Sequence, residues 1–298
     1  MTMTLKRRRP MKSGTGLPPS ALRRLSRRGP AVFGAAVIAM MTVFALLPVS
    51  WLPFDPTKGD SRARFLPPFF LPGGGGEHIL GTDVLGRDVF SMLIAGSRYT
   101  MMIAVSAALI GLILGLAAGL LAAYRQGWVG AVIMRLADVQ LAFPVMVLLI
   151  AVVAAFGANL LSLILILGVT AWASYARVVY TSTLALKEKD FVEAARAGGL
   201  SDLLIVFRHI APNLVSTLTV VVTFELAQLV LVEAALSFLG LGVQPPDPSW
   251  GSMIASAREY LHEHWWASAL PGLFIVLTVL SFSLLGDEVR DVLDPEAS

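Results

Sequence analysis

The chain has 298 residues, of which 56% are hydrophobic and 14% charged, with a formal net charge of +3 and a mean hydropathy of +0.75. Soluble domains carry nearer about a quarter charged residues, so water is not its main solvent. Cysteine is absent, which excludes a disulfide framework, a thiol nucleophile and a cysteine metal site.

Nine of the 23 basic residues fall in the first 28 positions: Lys6, Arg7, Arg8, Arg9, Lys12, Arg23, Arg24, Arg27 and Arg28. Placed directly before an apolar run, this arm (residues 1–30) reads as a cytoplasmic topology anchor rather than a grip on nucleic acid. The run at 31–51 is too long for a signal-peptide core of about 7 to 15 residues and reads as an uncleaved first span. Five further runs, at 98–123, 132–156, 160–180, 214–240 and 266–286, are each near the roughly 20 residues that cross a bilayer as a helix. The expected fold is therefore an all-α integral membrane protein of about six transmembrane helices, because lipid offers the backbone no hydrogen-bond partners.

Basic residues set the orientation. With the N-terminus inside, internal segments hold the nine arm residues, Arg125, Arg135, Arg177, Lys187, Lys189, Arg196, Arg208 and Arg290. The external ones hold only Lys58, Arg62, Arg64, Arg87, Arg98 and Arg258. Both termini are then cytoplasmic, and residues 287–298 form a cytoplasmic tail. Residues 52–97 form an external loop, broken by Pro53, Pro56, Pro67, Pro68, Pro72 and Gly73 to Gly76. The loop is predicted to end in an interfacial helix over Asp83–Ala95, with Val84, Val89, Phe90, Leu93 and Ile94 on lipid and Arg87 and Asp88 in water. The turn Gly81, Thr82, Asp83 with Arg87 is a candidate external rim.

Within the core, 98–286, Gly111, Gly115 and Gly119 recur at four-residue intervals, which lets another helix approach closely, in this chain or in a partner. Pro144 predicts a kink in the third span. Residues 181–213 are polar, and they are punctuated like two short helices. Asp190 with Glu193 suits a cap for a helix from Phe191, Gly198 and Gly199 end it, Ser201 caps a second, and Pro212 marks entry to the fifth span. Ala194, Ala195 and Ala197 leave a shallow face beside Glu193 and Arg196, the texture of a knob that another protein can approach.

Glu193-Ala194-Ala195, with Gly199 and Pro212 downstream, resembles the cytoplasmic EAA loop of ABC importer permeases. A wider set of pieces is similar to the second permease subunit of dipeptide, oligopeptide and nickel importers. It begins with Leu80-Gly81-Thr82-Asp83, Gly86-Arg87-Asp88, Met134-Arg135 with Asp138, Phe143-Pro144 and Tyr175-Ala176-Arg177. It continues with Phe191-Val192, Arg208-His209, Pro212-Asn213, the run Glu233 to Gly242, Pro248-Ser249-Trp250-Gly251 and Leu293-Asp294-Pro295. The match runs in order from about residue 50 to 295 and leaves out the arm. Ala211 stands where the loop pattern usually has leucine, and Glu288-Val289 replaces the more usual glycine and leucine.

The resemblance implies a type I ABC importer-like permease bundle in a bacterial inner membrane. It also implies a second homologous permease, two ATPase subunits that carry ATP and Mg, and an external solute-binding protein. Asp190, Phe191, Glu193, Ala194, Ala195, Arg196, Gly199 and Pro212 would then form the ATPase-coupling site. The sequence agrees on one point: no lysine follows a glycine, so no G-x-x-x-x-G-K-[ST] phosphate loop is present and no cofactor is expected in this chain. H-E-x-x-H and G-x-S-x-G are missing as well, which argues against a membrane-embedded enzyme.

Glu225 and Glu233 in the fifth span are candidate pathway residues, with a structural hydrogen bond the simpler reading of Glu233. They are also the thin support for the alternative of an ion-coupled secondary transporter. Asp138 is expected to pair with Arg135, and His262 and His264 to lie in a solvated loop, with no metal site.

Overall fold

The computed structural model describes residues 29–74, 76–125 and 127–293. The basic arm up to residue 28 and the end of the tail from residue 294 lie outside the described residues. In chain order the helices are α1 (Gly29–Leu46), α2 (Val89–Arg125), α3 (Gly127–Ala142), α4 (Val145–Phe156), α5 (Leu160–Lys187) and α6 (Asp190–Ala197). They continue with α7 (Asp202–Ile205), α8 (Ala211–Phe238), α9 (Trp250–Ala257) and α10 (Trp266–Leu293). Five helical stretches are long and apolar enough to cross a membrane, and the bent pair α3–α4 makes a sixth.

The glycine repeat lies on an internal seam. α2 and α5 run side by side in the same direction, with Gly111 against Ala171, Gly115 against Tyr175 and Gly119 against Val179. A Cβ at Gly111 would sit 2.7 Å from that of Ala171, nearer than two real Cβ atoms come, so the seam closes only because these side chains are absent. α8 runs back along α2 to the hydrogen bond between Thr100 and Glu233. α10 returns beside α8, with Gly286 against Thr223, and α1 lies on α10 where Gly34 meets Ser281 and Leu285. The bundle therefore has two unlike ends. One gathers residues 49–88, the start of α2, the end of α8, and α9. The other gathers the ends of α2 and α5 with α6 and α7.

Several sequence expectations change. No separate helix lies on lipid over 83–95: α2 starts at Val89 and continues unbroken for 37 residues, with Val89, Leu93 and Ile94 in the core. Arg98, read from sequence as a boundary charge, sits inside this helix. It donates from Nε to the Ala45 carbonyl (3.1 Å) and from Nη2 to that of Leu47 (2.5 Å), capping the end of α1. That capped end falls at Leu46, short of the expected Trp51. The kink at Pro144 is a 93° break between α3 and α4. Asp138 pairs with Arg177 of α5, not with Arg135. The tail stays helical to Leu293.

Pro212 falls in the first turn of α8, as expected, but the helical path does not begin there. The stretch from Asp202 to Phe238 is one continuous helix with a π-turn at Val206–Ile210, where the Ala211 N–H reaches back five residues to the Val206 carbonyl. A proline ring crowds the carbonyl four residues before it, and the wider turn relieves that contact at Arg208.

Candidate functional site

At the second end, α6 projects beside the mouth of α5. Asp190 and Glu193 lie in its first turn, where negative charge complements the helix dipole. Its N-cap is Lys189 without a side-chain cap bond, so the reciprocal cap expected between Asp190 and Glu193 does not form. The C-terminus is closed as predicted by the two glycines. The Leu200 N–H bonds the Ala195 carbonyl (3.3 Å) and the Gly199 N–H that of Arg196 (3.0 Å), the paired bonds of a Schellman motif. This motif needs a left-handed residue, and Gly199 has φ +78°.

The inner face of α6 is fixed by Val192, fully buried in a small apolar cluster with Val179 of α5 and Ile205, Val206, Ile210 and Leu214 of α7–α8. Ala195 turns toward the same cluster. Asp190, Phe191, Glu193, Ala194, Arg196 and Ala197 are exposed. The outward face is therefore small and charged with one large apolar group, Phe191. Pro212, on the first turn of α8, stands behind the π-turn and half-buried. Lys187, the last residue of α5, donates to the Ala123 carbonyl of α2 at 3.0 Å, so α6 hangs from two helices that are tied together.

At the first end, Gly81, Thr82, Asp83 and Arg87 are enclosed rather than displayed. Thr82 is fully buried, its hydroxyl donating to the Ala63 carbonyl and accepting from the Leu66 N–H, while its carbonyl accepts from Trp266 Nε1. Asp83 accepts from the N–H groups of Leu85 and Arg87 at 2.8 Å and holds the Arg87 guanidinium at 2.7 Å. Asp88 caps α2 through the Ser91 N–H (2.7 Å) and meets His78 at 3.0 Å. Arg87 and Asp88 were expected in water, yet the first is held by the Asp83 carboxylate and the second by the Ser91 N–H and His78. His264 is likewise no solvated loop residue, since it stacks on Phe65 with ring centroids 3.9 Å apart.

The two glutamates of α8 have unlike surroundings. Glu233 is fully buried and accepts from Thr100 (3.1 Å) and Ser237 (2.7 Å), joining α8 to α2. Glu225 is half-buried beside Ser174 of α5 and opens on a recess next to the α3–α4 break. An ionised side chain at the centre of a membrane helix costs about 2.5–3.5 kcal/mol on insertion scales, so each carboxylate calls for such partners or access to water. Among the described residues no group of His, Asp or Glu is arranged to hold a metal ion.

Sequence reasoning missed α9, although its signal was present. Ser249 accepts from the Ser252 N–H while the Ser252 hydroxyl accepts from the Ser249 N–H, a capping box that starts the helix after Pro248. α9 carries Trp250, buried completely, with its Nε1 on the Leu93 carbonyl at 3.1 Å.

The fold is thus a helical bundle with a short surface helix slung from paired spans. A chain of the MetNI methionine ABC transporter, solved in inward facing conformations, shares this fold with a TM-score of 0.58 at 20% identity, over 68% of this chain and 97% of that one. Residues 111–298 match the family described as binding-protein-dependent transport system inner membrane component, and residues 20–68 match the N-terminal TM domain of oligopeptide transport permease C.

Relatives are similar over nearly the whole length. The di/tripeptide transport system permease protein DppC of Pseudomonas aeruginosa is 40% identical over 264 residues, 88% of this chain and 87% of that one. The glutathione transport system permease protein GsiD of Pectobacterium atrosepticum is 37% identical over 274 residues, 92% of this chain and 89% of that one. A putative peptide transport system permease protein of Brucella suis is 40% identical over 274 residues, 92% of this chain and 90% of that one. The chain belongs to the binding-protein-dependent transport system inner membrane components: it is a multi-pass permease subunit of the ABC importer type. That assignment sets aside the ion-coupled alternative.

Proposed function

We propose that this permease pairs with a second, homologous one to form the import path for short peptides or peptide-like solutes, and that α6 is where a separate ATPase subunit grips it. ATP and Mg belong to two such ATPase subunits, and an external binding protein delivers the solute to the end that gathers residues 49–88. On this reading α6 and both chain termini face the cytoplasm, in line with the excess of basic residues on that side. The relatives named above are described as peptide and glutathione permeases, which supports the solute class.

The observation that carries the reading is the construction of α6. Its outward face presents Phe191, Glu193, Ala194 and Ala197, while Val192 locks its inner face to both α5 and α8. A push on the outer face reaches two spans through one buried side chain, which is what a two-state element biased from outside the membrane requires. Gly199→Val tests it, since valine strongly disfavours the left-handed backbone held by Gly199. The variant is expected to insert and assemble normally but to lose solute-stimulated uptake. Uptake at the normal rate would overturn the coupling role of α6.

A further inference from the structure

The recess beside Glu225 has a volume of about 350 Å³ and lies where the α3–α4 break faces α5 and α8. That volume is within the range of small-molecule sites, about 300–1,000 Å³. Apolar side chains such as Phe143, Leu149 and Val232 line much of it, and its polar groups converge from three directions: Thr170 and Ser174 on α5, Glu225 and Gln228 on α8, and Gln140 on α3. Gln140 is a fixed part of the wall, because its Nε2 donates to the Thr170 carbonyl (2.5 Å) and its Oε1 accepts from Trp172 Nε1 (2.6 Å). Glu225 has no such closure. Among the described residues it has a hydrogen bond with Ser174 and no cationic partner, whereas Glu233, two turns along the same helix, is sealed by two hydroxyls.

We infer that this recess receives the ammonium group of a transported solute, with the Glu225 carboxylate as its counter-ion and Ser174 and Gln228 as flanking acceptors. The inference deepens the proposed function and rests on the recess belonging to the import path. An ammonium carries three N–H donors and no acceptor, so it wants a carboxylate supplemented by neutral oxygens. Glu225, the Ser174 hydroxyl and the Gln228 amide carbonyl supply such a set, and the apolar wall accommodates the remainder of a short peptide. The opposite charge arrangement, an anion site, has no cation on this wall to support it.

The test uses native membrane vesicles containing the assembled transporter, treated with a hydrophobic carbodiimide that modifies accessible carboxyl groups. Adducts at Glu225 and Glu233 are quantified by peptide mass spectrometry with no addition, with alanylalanine, or with N-acetyl-alanylalanine at the same concentration. Glu225 should be modified and Glu233 spared. Alanylalanine should slow modification of Glu225 severalfold, and the acetylated dipeptide, lacking the ammonium, should not. Equal protection by both dipeptides, or by neither, overturns the inference. So does a Glu225 that never reacts, as expected if a basic side chain of the neighbouring permease already occupies the recess. In the same vesicles, at an equal amount of assembled transporter, Glu225→Gln should reduce alanylalanine uptake severalfold, with Glu225→Asp partly restoring uptake; unchanged uptake by Glu225→Gln also overturns it. Should wild-type vesicles show no ATP-driven uptake at all, the proposed function fails on its own, and the labelling result still decides whether the recess takes an amine.

Discussion

The two ends of this bundle are built on different principles. At the end that gathers residues 49–88, buried polar groups are cross-linked: Thr82, Asp83, Asp88, Thr100, Glu233, Ser237 and Ser249 all lie in the interior with bonded partners, around Trp250. At the other end, α6 and α7 are held by six buried apolar residues and expose charge together with Phe191, Leu203 and Leu204. A satisfied polar network specifies one geometry, because any displacement strands a donor or acceptor in a low-dielectric interior. An apolar cluster tolerates small sliding without such a penalty. The first end is therefore suited to stay still and the second to move.

Substitutions graded by expected effect probe this contrast. Trp250→Ala should be the most damaging, destabilising by about 3–5 kcal/mol as large buried aromatics do when truncated, and it also removes the indole hydrogen bond to the Leu93 carbonyl. Thermal denaturation of purified protein in nanodiscs would register it, and a stability near wild type would show that the polar end is not the rigid one. Glu233→Ala leaves the Thr100 and Ser237 hydroxyls without their carboxylate, a loss of about 1–3 kcal/mol for stranded buried groups, and Glu233→Gln should recover part of it. Equal stability of both variants would remove Glu233 from the network. Val192→Ala deletes two methyl groups from the mobile end, about 1–2 kcal/mol at roughly 0.8 per methylene. Its melting temperature should fall less than that of Trp250→Ala, while solute-stimulated ATP hydrolysis should fall. A drop in melting temperature as large as that of Trp250→Ala, with coupling intact, would reverse the comparison.

The same contrast explains what was legible in the sequence. Apolar run length revealed the spans, and the glycine interval revealed a close seam, because both depend on residue type alone. The outline of α6 was readable too, since Gly198 and Gly199 fix a helix end by backbone conformation. Polar residues misled wherever their partners are distant in sequence. Arg98 looked like a membrane boundary until its guanidinium was found on the carbonyls of Ala45 and Leu47, and Arg87 and Asp88 looked solvated although Asp83 holds the first and the Ser91 N–H and His78 the second. Pro144 announced a bend without its size, which depends on how Gln140 and Asp138 anchor α3 to α5. The Glu225 recess was visible only as an unexplained carboxylate, because its walls come from separate helices.

The π-turn at Val206–Ile210 has a geometric consequence. One additional residue in a helical turn rotates everything on one side of it by about 100° relative to an uninterrupted helix of 3.6 residues per turn. Asp202, Leu203 and Leu204 thus owe their azimuth around the α8 axis to that single inserted position. Excising one residue there would restore regular winding and swing α7, with the attached α6, toward a different compass bearing, while every span stayed where it is.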